Sequence, residues 1–228
     1  FSLALAAALV PEGLPATVSV ALSVSASKLA RKMAVVKRLS SVETLGSTTV
    51  ICTDKTGTLT TGKMGVVKVW TKENRKILSF NNFDLQKNSK LLENILLNNN
   101  IKKEDLNYFG DTNEIALYKS LEEKNINIKQ LTRNYRRLHE FSFNPIRKMM
   151  SVVVENANGV NMYSKGAPTA ILEKCKLNAI ERQKMLKISE ILARDGLRVF
   201  AFATKKINRL NNKHYYPEEL ERDLEFTG

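Results

Sequence analysis

The first 27 residues constrain the fold of this chain most strongly, because they carry only one charged side chain. Residues 1–10 and 13–27 are uncharged, and Glu12 stands between them. A helix rises about 1.5 Å per residue, so this segment would reach roughly 40 Å and could cross a bilayer. It lacks the basic start and small-residue cleavage site of a signal peptide. The pattern predicts part of a transmembrane helix, and a soluble buried helix with a prolyl turn is the alternative.

A Pro-Glu-Gly-Leu-Pro run at residues 11–15 interrupts the apolar segment. Proline lacks a backbone N–H and glycine costs conformational entropy, so the run predicts a break near the middle of the helix. Broken backbone at membrane depth survives only where it lines a cavity, and a carboxylate there indicates function. Freed carbonyl oxygens and Glu12 together would suit a hard cation. We therefore interpret Glu12 as a candidate ligand of a hard cation.

Basic residues follow the apolar segment directly, namely Lys28, Arg31, Lys32, Lys37 and Arg38. The cytoplasmic flanks of transmembrane helices are enriched in Lys and Arg, so this end is predicted to be cytoplasmic. The same residues would suit the solvated face of a helix, and the two interpretations are compatible.

A short β-branched run at residues 48–52 predicts a buried strand that leads into a loop rich in Thr and Gly. An aspartate is ionised at neutral pH, so Asp54 in this loop needs no general base to attack phosphorus. It needs cancellation of the phosphoryl charge, which Mg²⁺ and nearby cations such as Lys55 supply. Gly57 lets the backbone approach closely, and Thr56 offers hydroxyl and backbone groups. Asp54 is therefore the candidate nucleophile for phosphoryl transfer.

Residues 57–63 nearly match the phosphate-binding pattern G-x-x-x-x-G-K-[ST]. Met64 stands where the pattern requires Ser or Thr for Mg²⁺ binding. The residues that follow predict a strand instead of the helix whose N-terminus cradles phosphate. The P-loop interpretation is rejected.

Hydrophobic periodicity predicts the remaining elements. Helices are predicted at residues 88–98, 114–124, 167–175 and 179–194. Strands are predicted at residues 64–70 and 197–204, with a hairpin at 149–154 and 160–164 turned by the Asn-Ala-Asn-Gly run 156–159.

The net charge of +13 raises the question of nucleic-acid binding. Nucleic-acid binders gather Lys and Arg on one face and interleave aromatic residues, whereas the basic residues here are spread along the chain. We therefore predict no nucleic-acid partner. A face beside anionic lipid or a pocket for a nucleotide explains the charge as well. The two cysteines and two histidines have no zinc-ligand spacing.

Several motifs resemble those of one family. The run Asp54-Lys55-Thr56-Gly57-Thr58-Leu59-Thr60 resembles the phosphorylation signature of P-type ATPases. Residues 11–15 are similar to the cation-binding break in the fourth transmembrane helix of that family, and residues 36–46 resemble the stretch that joins the two motifs. The resemblance implies ATP-driven cation transport through an aspartyl phosphate on Asp54, with catalytic roles for Lys55 and Thr56 and with Mg²⁺ held by Asp54 and Thr56.

The resemblance extends to the C-terminal part of the chain. Residues 110–114, Phe143 with Arg147-Lys148, residues 165–168 and residues 196–198 resemble elements of the family's nucleotide domain. The nucleotide-binding residues that this implies are Asp111, Glu114, Phe143, Lys148, Lys165, Gly166 and Arg198. An aromatic face can stack on adenine, and Arg198 can reach phosphates. Residues 144–146 and Thr169 depart from the family pattern, which usually has more polar or charged residues there.

The fold expected from resemblance and pattern is an α/β phosphorylation domain of the haloacid-dehalogenase type, interrupted by an α+β nucleotide-binding domain. That inserted domain is expected to have an antiparallel sheet flanked by helices. The expected segments are a partial transmembrane helix (1–27), a cytoplasmic stalk (28–46), the first piece of the phosphorylation domain (47–62), the nucleotide-binding domain (63–222) and the start of the return to the phosphorylation domain (223–228). The expected partners are ATP, a transported cation, the lipid bilayer and the remainder of the pump chain, without which turnover is not expected.

Three interpretations of function stay open. The Pro-Glu-Gly-Leu-Pro run favours a Ca²⁺ pump, and a pump for monovalent cations is the first alternative. A nucleotide-binding module that transports nothing is the second. A soluble phosphatase is rejected, because it would have an acidic residue two positions after Asp54, where Thr56 stands.

Overall fold

The computed structural model of the protein describes residues 2–105, 107–207 and 215–228, with side chains from residue 13 onward. These residues form two compact units, 1–62 and 63–228, which are described separately. The helices of the first unit are α1 (Ser2–Arg31) and α2 (Ser40–Gly46), and a helical turn spans Lys55–Leu59.

The first helix is continuous through the Pro-Glu-Gly-Leu-Pro run, so the predicted break in the helix is wrong. Side-chain hydroxyls supply additional donors to the backbone carbonyls of this stretch. Thr17 Oγ1 donates to the carbonyl oxygens of Gly13 and Leu14 at 3.0 and 2.9 Å, and Ser19 Oγ donates to that of Pro15 at 2.8 Å. In the part of the chain that the structure describes, no helix combines the length and apolarity needed to cross a membrane.

The buried strand predicted at residues 48–52 is not formed in this structure. This stretch has no regular secondary structure, and Val50 and Ile51 are 73% and 81% exposed. A strand needs a neighbour to receive its backbone hydrogen bonds. The described residues of the first unit contain no second strand that could be this neighbour.

The second unit contains most of the regular structure. Its longer helices are α3 (Ser89–Leu97), α4 (Thr112–Glu123), α5 (Ile128–Thr132), α6 (Pro168–Lys174) and α7 (Ala179–Arg194), followed by the short α8 (Pro217–Leu220). Its strands are β1 (Lys68–Val69), β2 (Leu78–Ser79), β3 (Lys102–Glu104), β4 (Asn107–Phe109), β5 (Arg136–Asn144), β6 (Met149–Asn156), β7 (Gly159–Gly166), β8 (Ala201–Ile207) and β9 (Glu225–Phe226). A 3₁₀ turn spans Phe80–Asn82.

An antiparallel five-stranded sheet forms the centre of this unit, in the order β5-β6-β7-β8-β9. The hairpin of β6 and β7 was predicted and is confirmed, with register from Met149↔Gly166 to Asn156↔Gly159. Gly159 has φ of +113°, which a residue with a side chain rarely adopts. The Asn-Gly pair of residues 158–159 is therefore a local determinant of the turn.

Helices cover both faces of the sheet, as predicted. Because side chains alternate along β6, Met149 and Val153 pack with Ile171 of α6 on one face. On the other face Met150, Val152 and Val154 form a second cluster, which Leu97 of α3 contacts. The six residues 149–154 are all buried, so this strand runs through the middle of the core.

The ends of the second unit differ from the sequence prediction. Residues 223–228, expected to begin the return to another domain, contribute β9, which pairs with β8 through Ala203↔Phe226. The strand predicted at 64–70 contracts to Lys68–Val69, and the strand predicted at 197–204 begins only at Ala201. The four predicted helices are confirmed.

Candidate functional site

A buried ion pair lies at the end of β7. Lys165 is only 5% exposed, and its Nζ donates to Glu114 Oε1 at 2.7 Å and to the backbone oxygen of Asn98. Burial lowers the pKa of Lys165, while the charge and hydrogen bond of Glu114 oppose that shift. The structure therefore brings together two residues that the sequence placed in one pocket.

The first turn of α4 positions Glu114. The helix begins after Asp111, whose Oδ1 accepts hydrogen bonds from the backbone N–H groups of Asn113 and Glu114 at 2.9 and 3.3 Å. The second oxygen of Glu114 accepts from the backbone N–H of Asn100 at 3.0 Å. The cap thus fixes the helix start, and the helix start fixes the partner of Lys165.

Asp111 also connects Arg198 to this cluster. Burial raises the pKa of Asp111, but hydrogen bonds from Asn113 and Glu114 and the charge of Arg198 outweigh it, so the pKa is lowered. The Arg198 guanidinium lies over the ring of Phe200, with 5.9 Å between its Cζ and the ring centroid. Asp111, Glu114, Lys165 and Arg198 therefore form one electrostatic group in the second unit.

Phe143 and Lys148 lie at the two ends of the connection between β5 and β6. Phe143 is 61% exposed, so its ring is accessible for stacking. Lys148 has φ of +53°, and its backbone oxygen accepts a hydrogen bond from the N–H of Ala167 at 2.9 Å. This bond joins the connection to the end of β7, next to Lys165.

Gly166 is required by the close approach of these two backbones. A Cβ atom at this position would lie 2.4 Å from the backbone oxygen of Lys148 and 2.7 Å from the Cα of Met149. Both distances are too short for any side chain. The observed constraint on Gly166 is therefore packing between β6 and β7.

A second ion pair, Arg147–Glu221, holds the connection between β5 and β6, and the sequence did not single it out. Arg147 Nη1 donates to both carboxylate oxygens of Glu221, at 2.5 and 2.6 Å. Its Nη2 donates to the backbone oxygen of Ser142 at 2.7 Å. Glu221 is 3% exposed and also accepts from Ser151 Oγ at 2.8 Å. Arg147 and Glu221 are 74 positions apart, so no local pattern signals the contact.

A second set of residues that the sequence did not reveal extends from Glu114 towards β5. Asn100 Nδ2 donates to Glu140 Oε1 at 2.6 Å, and Arg137 Nη1 donates to Asn100 Oδ1 at 3.1 Å. Ser142 Oγ donates to the same Glu140 oxygen at 2.7 Å. Hydrogen bonds thus connect the Lys165 pocket with Ser142, the neighbour of Phe143.

Asp54, Lys55 and Thr56 lie in the first unit. Asp54 caps the turn that follows, and its Oδ1 accepts from the Thr56 backbone N–H at 3.2 Å. Gly57 has φ of +80°, so the reversal of the chain depends on glycine. All these residues are exposed, and the turn presents the carboxylate to solvent.

The donor atoms at this turn suit Mg²⁺ but supply only part of its coordination. Asp54 and Thr56 offer oxygen atoms, which are the ligands this ion takes. Among the described side chains, no group of three or more His, Cys, Asp or Glu residues could hold a metal. Mg²⁺ ordinarily keeps several waters and binds substrate phosphates, so a small oxygen donor set is compatible with it. The side chain of Glu12, predicted to bind the transported cation, lies outside the described residues.

The pocket in the second unit lies within a segment that a family model recognises. Residues 84–228 match the model described as P-type ATPase, cytoplasmic domain N. The chain belongs to the P-type ATPase family. The match includes each of the residues from Asp111 to Arg198 that the sequence assigned to nucleotide binding.

Curated relatives align over the whole chain. A probable cation-transporting P-type ATPase of Mycoplasma genitalium is 36% identical over 229 residues. A calcium-transporting ATPase 1 of Bacillus cereus is 34% identical, and the sodium/potassium-transporting ATPase subunit alpha of Tetronarce californica is 32% identical. Each alignment covers 100% of this chain and 24%, 26% and 26% of the respective relative. The chain thus spans about a quarter of the length of the curated relatives it matches.

Proposed function

We propose that this chain is the ATP-binding and phosphorylated part of a cation pump, that Asp54 receives the γ-phosphate, and that the transported cation is Ca²⁺. The observation that carries the proposal is the presence of two complementary sites in one chain of this family. The first unit presents the exposed carboxylate of Asp54 in a turn that depends on glycine. The second unit holds the buried Lys165 ammonium in a pocket that hydrogen bonds connect to Ser142, the neighbour of the exposed Phe143.

The second unit supplies the groups that bind ATP. The exposed Phe143 ring can stack on adenine, an interaction worth about 1–3 kcal/mol for bases on aromatic side chains. Lys165 has three N–H donors, of which Glu114 and the Asn98 oxygen take two, so a nucleotide acceptor can take the third. Arg198 can form bidentate hydrogen bonds with phosphate.

The first unit supplies the nucleophile. A carboxylate oxygen of Asp54 forms a bond to the γ-phosphorus, the bond from that phosphorus to the oxygen bridging to the β-phosphate breaks, and ADP leaves with the electron pair. Lys55 reduces the negative charge that the attacking carboxylate meets. Mg²⁺, when bound through Asp54 and Thr56, supplies further cancellation of phosphate charge. Thr56 offers no carboxylate for later hydrolysis, so a long-lived aspartyl phosphate is expected.

The choice of cation rests on relatives and on the first helix. Several aligned relatives are named calcium-transporting ATPases, and Glu12 is an oxygen ligand of the type Ca²⁺ prefers. The Tetronarce californica relative, a sodium/potassium-transporting ATPase subunit, favours a monovalent cation as the second candidate. In either case residues 1–27 would lie in the membrane, and the phosphorylated and nucleotide-binding residues would lie in the cytoplasm. Further domains would belong to the longer protein.

Phosphorylation of the full-length protein in membranes tests the proposal. The protein is incubated with ATP labelled at the γ-phosphate while Ca²⁺ is titrated, Na⁺ is tested in parallel and Asp54→Asn is the control. We expect an acid-stable, hydroxylamine-sensitive phosphoprotein that forms at Ca²⁺ concentrations of about micromolar and is absent from the variant. Labelling that requires Na⁺ would show that the transported cation is monovalent and would overturn the assignment of Ca²⁺. Absence of labelling with every cation would leave only a nucleotide-binding module.

A further inference from the structure

Two fully buried asparagines lie where α3 packs on the sheet: Asn94 within the helix and Asn98 directly after its last residue. Asn94 Nδ2 donates to the backbone oxygens of Ser164 and Ala203 at 3.0 and 2.9 Å. The other buried residues of α3 are Leu91, Leu92, Ile95 and Leu96, so the two amides lie in a largely apolar interface. Burying an amide in such an interface is favourable only when its hydrogen bonds are made.

Asn98 makes the more informative set of contacts. Its Nδ2 donates to the backbone oxygens of Met150 and Tyr163 at 3.3 and 3.1 Å, and to Asn94 Oδ1 at 3.2 Å. Met150 is the residue paired with Lys165 across the β6–β7 ladder. The Asn98 side chain thus donates to the β7 backbone two residues before Lys165 and to the β6 residue paired with Lys165, and the backbone oxygen of Asn98 accepts from the Lys165 ammonium.

Stability alone does not account for this asparagine. Among the described residues, the Oδ1 atom of Asn98 is buried and accepts no hydrogen bond from the protein, which reduces what its amide contributes to stability. An unsatisfied buried polar atom in a native structure calls for an explanation beyond packing. Here the compensating feature is the position of the Asn98 carbonyl, at the C-terminal end of α3, where the helix dipole favours a cation.

We propose that Asn98, braced by Asn94, is a positioning residue that holds the Lys165 ammonium in place for ATP, an inference that rests on the function proposed above. Asn98 reaches the nucleotide only through Lys165. Three charged groups also act on Lys165 from neighbouring elements: Glu114 of α4 and Asp111 at its start stabilise the ammonium, and Arg137 of β5 opposes it.

This arrangement gives ATP binding a characteristic pH dependence. Burial lowers the pKa of Lys165, so the ammonium is lost at a lower pH than in an exposed lysine. ATP affinity should therefore fall as the pH rises through the pKa of Lys165. The hydrogen bond from Lys165 to the Asn98 backbone oxygen favours the charged form of the lysine. A variant that holds this oxygen less firmly should therefore have a lower Lys165 pKa, and its ATP affinity should fall at a lower pH.

The test is ATP binding to the full-length protein in membranes, without turnover, between about pH 6 and pH 10, for the unsubstituted protein and Asn98→Ala. We expect an affinity about five- to tenfold weaker at neutral pH and a midpoint shifted by about one pH unit to acid, the effect of weakening one hydrogen bond to a charged group. Asn99→Ala is the matched control. Its amide donates only to the α3 carbonyls of Ile95 and Leu96 at 3.0 and 2.9 Å, so it changes the same helix end without contacting the strands.

The outcomes separate positioning from stability. An acid shift in Asn98→Ala that Asn99→Ala lacks supports the inference, and Asn94→Ala should show a smaller shift in the same direction even if Asn98→Ala fails to fold. Unchanged midpoints in both Asn94→Ala and Asn98→Ala would overturn it and leave a structural role only. If the unsubstituted protein does not bind ATP, the proposed function fails first, and the inference fails with it.

Discussion

The two units of the chain differ in how they bury their side chains. None of the described side chains of residues 13–62 is buried, whereas the second unit has apolar clusters on both faces of its sheet. Residues 48–52 have the composition of a core strand and yet are exposed, while residues 149–154 have a similar composition and are buried. Composition alone therefore does not separate them.

Pairing explains the difference. The run 149–154 has β5 and β7 as hydrogen-bonded neighbours, and helices pack on both of its faces. The run 48–52 has no strand beside it among the described residues of the first unit. A run of β-branched residues therefore indicates the capacity to form a core strand, and the neighbouring strands and helices decide whether the strand forms.

The largest expected effect separates the two units by function. Asp54→Asn should abolish the phosphoprotein, because an amide oxygen is a far weaker nucleophile than a carboxylate. ATP affinity should stay unchanged, because the stacking and cationic groups lie in the second unit. Phosphorylation and ATP binding are measured on the same preparation of the full-length protein. Loss of ATP affinity in this variant would show that the two units do not divide the work in this way.

Local signals made much of the second unit predictable. The helix α7 was predicted at residues 179–194 and is observed there, because Asn178 and Glu181 form a reciprocal cap at its start. At its end Gly196 has φ of +76°, the conformation that terminates helices. The β6–β7 hairpin was predictable for the same reason, from an Asn-Gly pair between two apolar runs.

Contacts between distant residues were not predictable. The Arg147–Glu221 pair and the hydrogen bonds from Asn98 to the strands depend on how the sheet and helices assemble. No spacing in the sequence signals them. Lys165 and Glu114 were placed in one pocket only because two motifs resemble those of one family, and their ion pair was not predicted. The predicted break in α1 was wrong because proline was treated as a helix terminator, although its fixed φ is compatible with a helix.

Partners in the longer protein are expected to order the first unit. We propose that residues 48–52 become a paired, buried strand there. Ile51→Ala should then lower the free energy of unfolding by about 2–5 kcal/mol, the usual effect of truncating a buried isoleucine. The measurement is pulse proteolysis of the full-length protein in urea.

Ile180 provides the matched control, because both isoleucines are 81% exposed in this structure. Ile180 lies on the first turn of α7, where no further strand is expected, so Ile180→Ala should change the free energy of unfolding by less than about 0.5 kcal/mol. Equal, small effects at the two positions would show that residues 48–52 stay exposed, and the two units would then differ intrinsically.

A smaller effect is expected for the exposed ring in the second unit. Phe143→Ala should weaken ATP binding roughly tenfold, because stacking of a base on an aromatic side chain contributes about 1–3 kcal/mol. Phe143→Trp should retain the affinity. Ile146→Ala, in the same connection and more exposed than Phe143, should change nothing. If the Phe143 and Ile146 variants bind ATP equally well, the ring does not contact the nucleotide.

The smallest expected effect concerns the helix that carries Glu114. Asp111→Ala removes the cap of α4 and should lower the free energy of unfolding of the second unit by about 1 kcal/mol at neutral pH. Because the pKa of Asp111 is lowered in the folded protein, its stabilisation is complete above the unfolded value of about 3.9 and is lost as the pH falls through the folded value. The difference in the free energy of unfolding between variant and unsubstituted protein should therefore shrink in acid.

Hydrogen exchange of the β6 amides measures this free energy. The control is Asn178→Ala, which removes an uncharged cap from α7 and should show a similar loss at every pH. A loss at Asp111 that is equally insensitive to pH would mean that its carboxylate acts through shape alone, and that the charge of Arg198 contributes nothing to holding the start of α4.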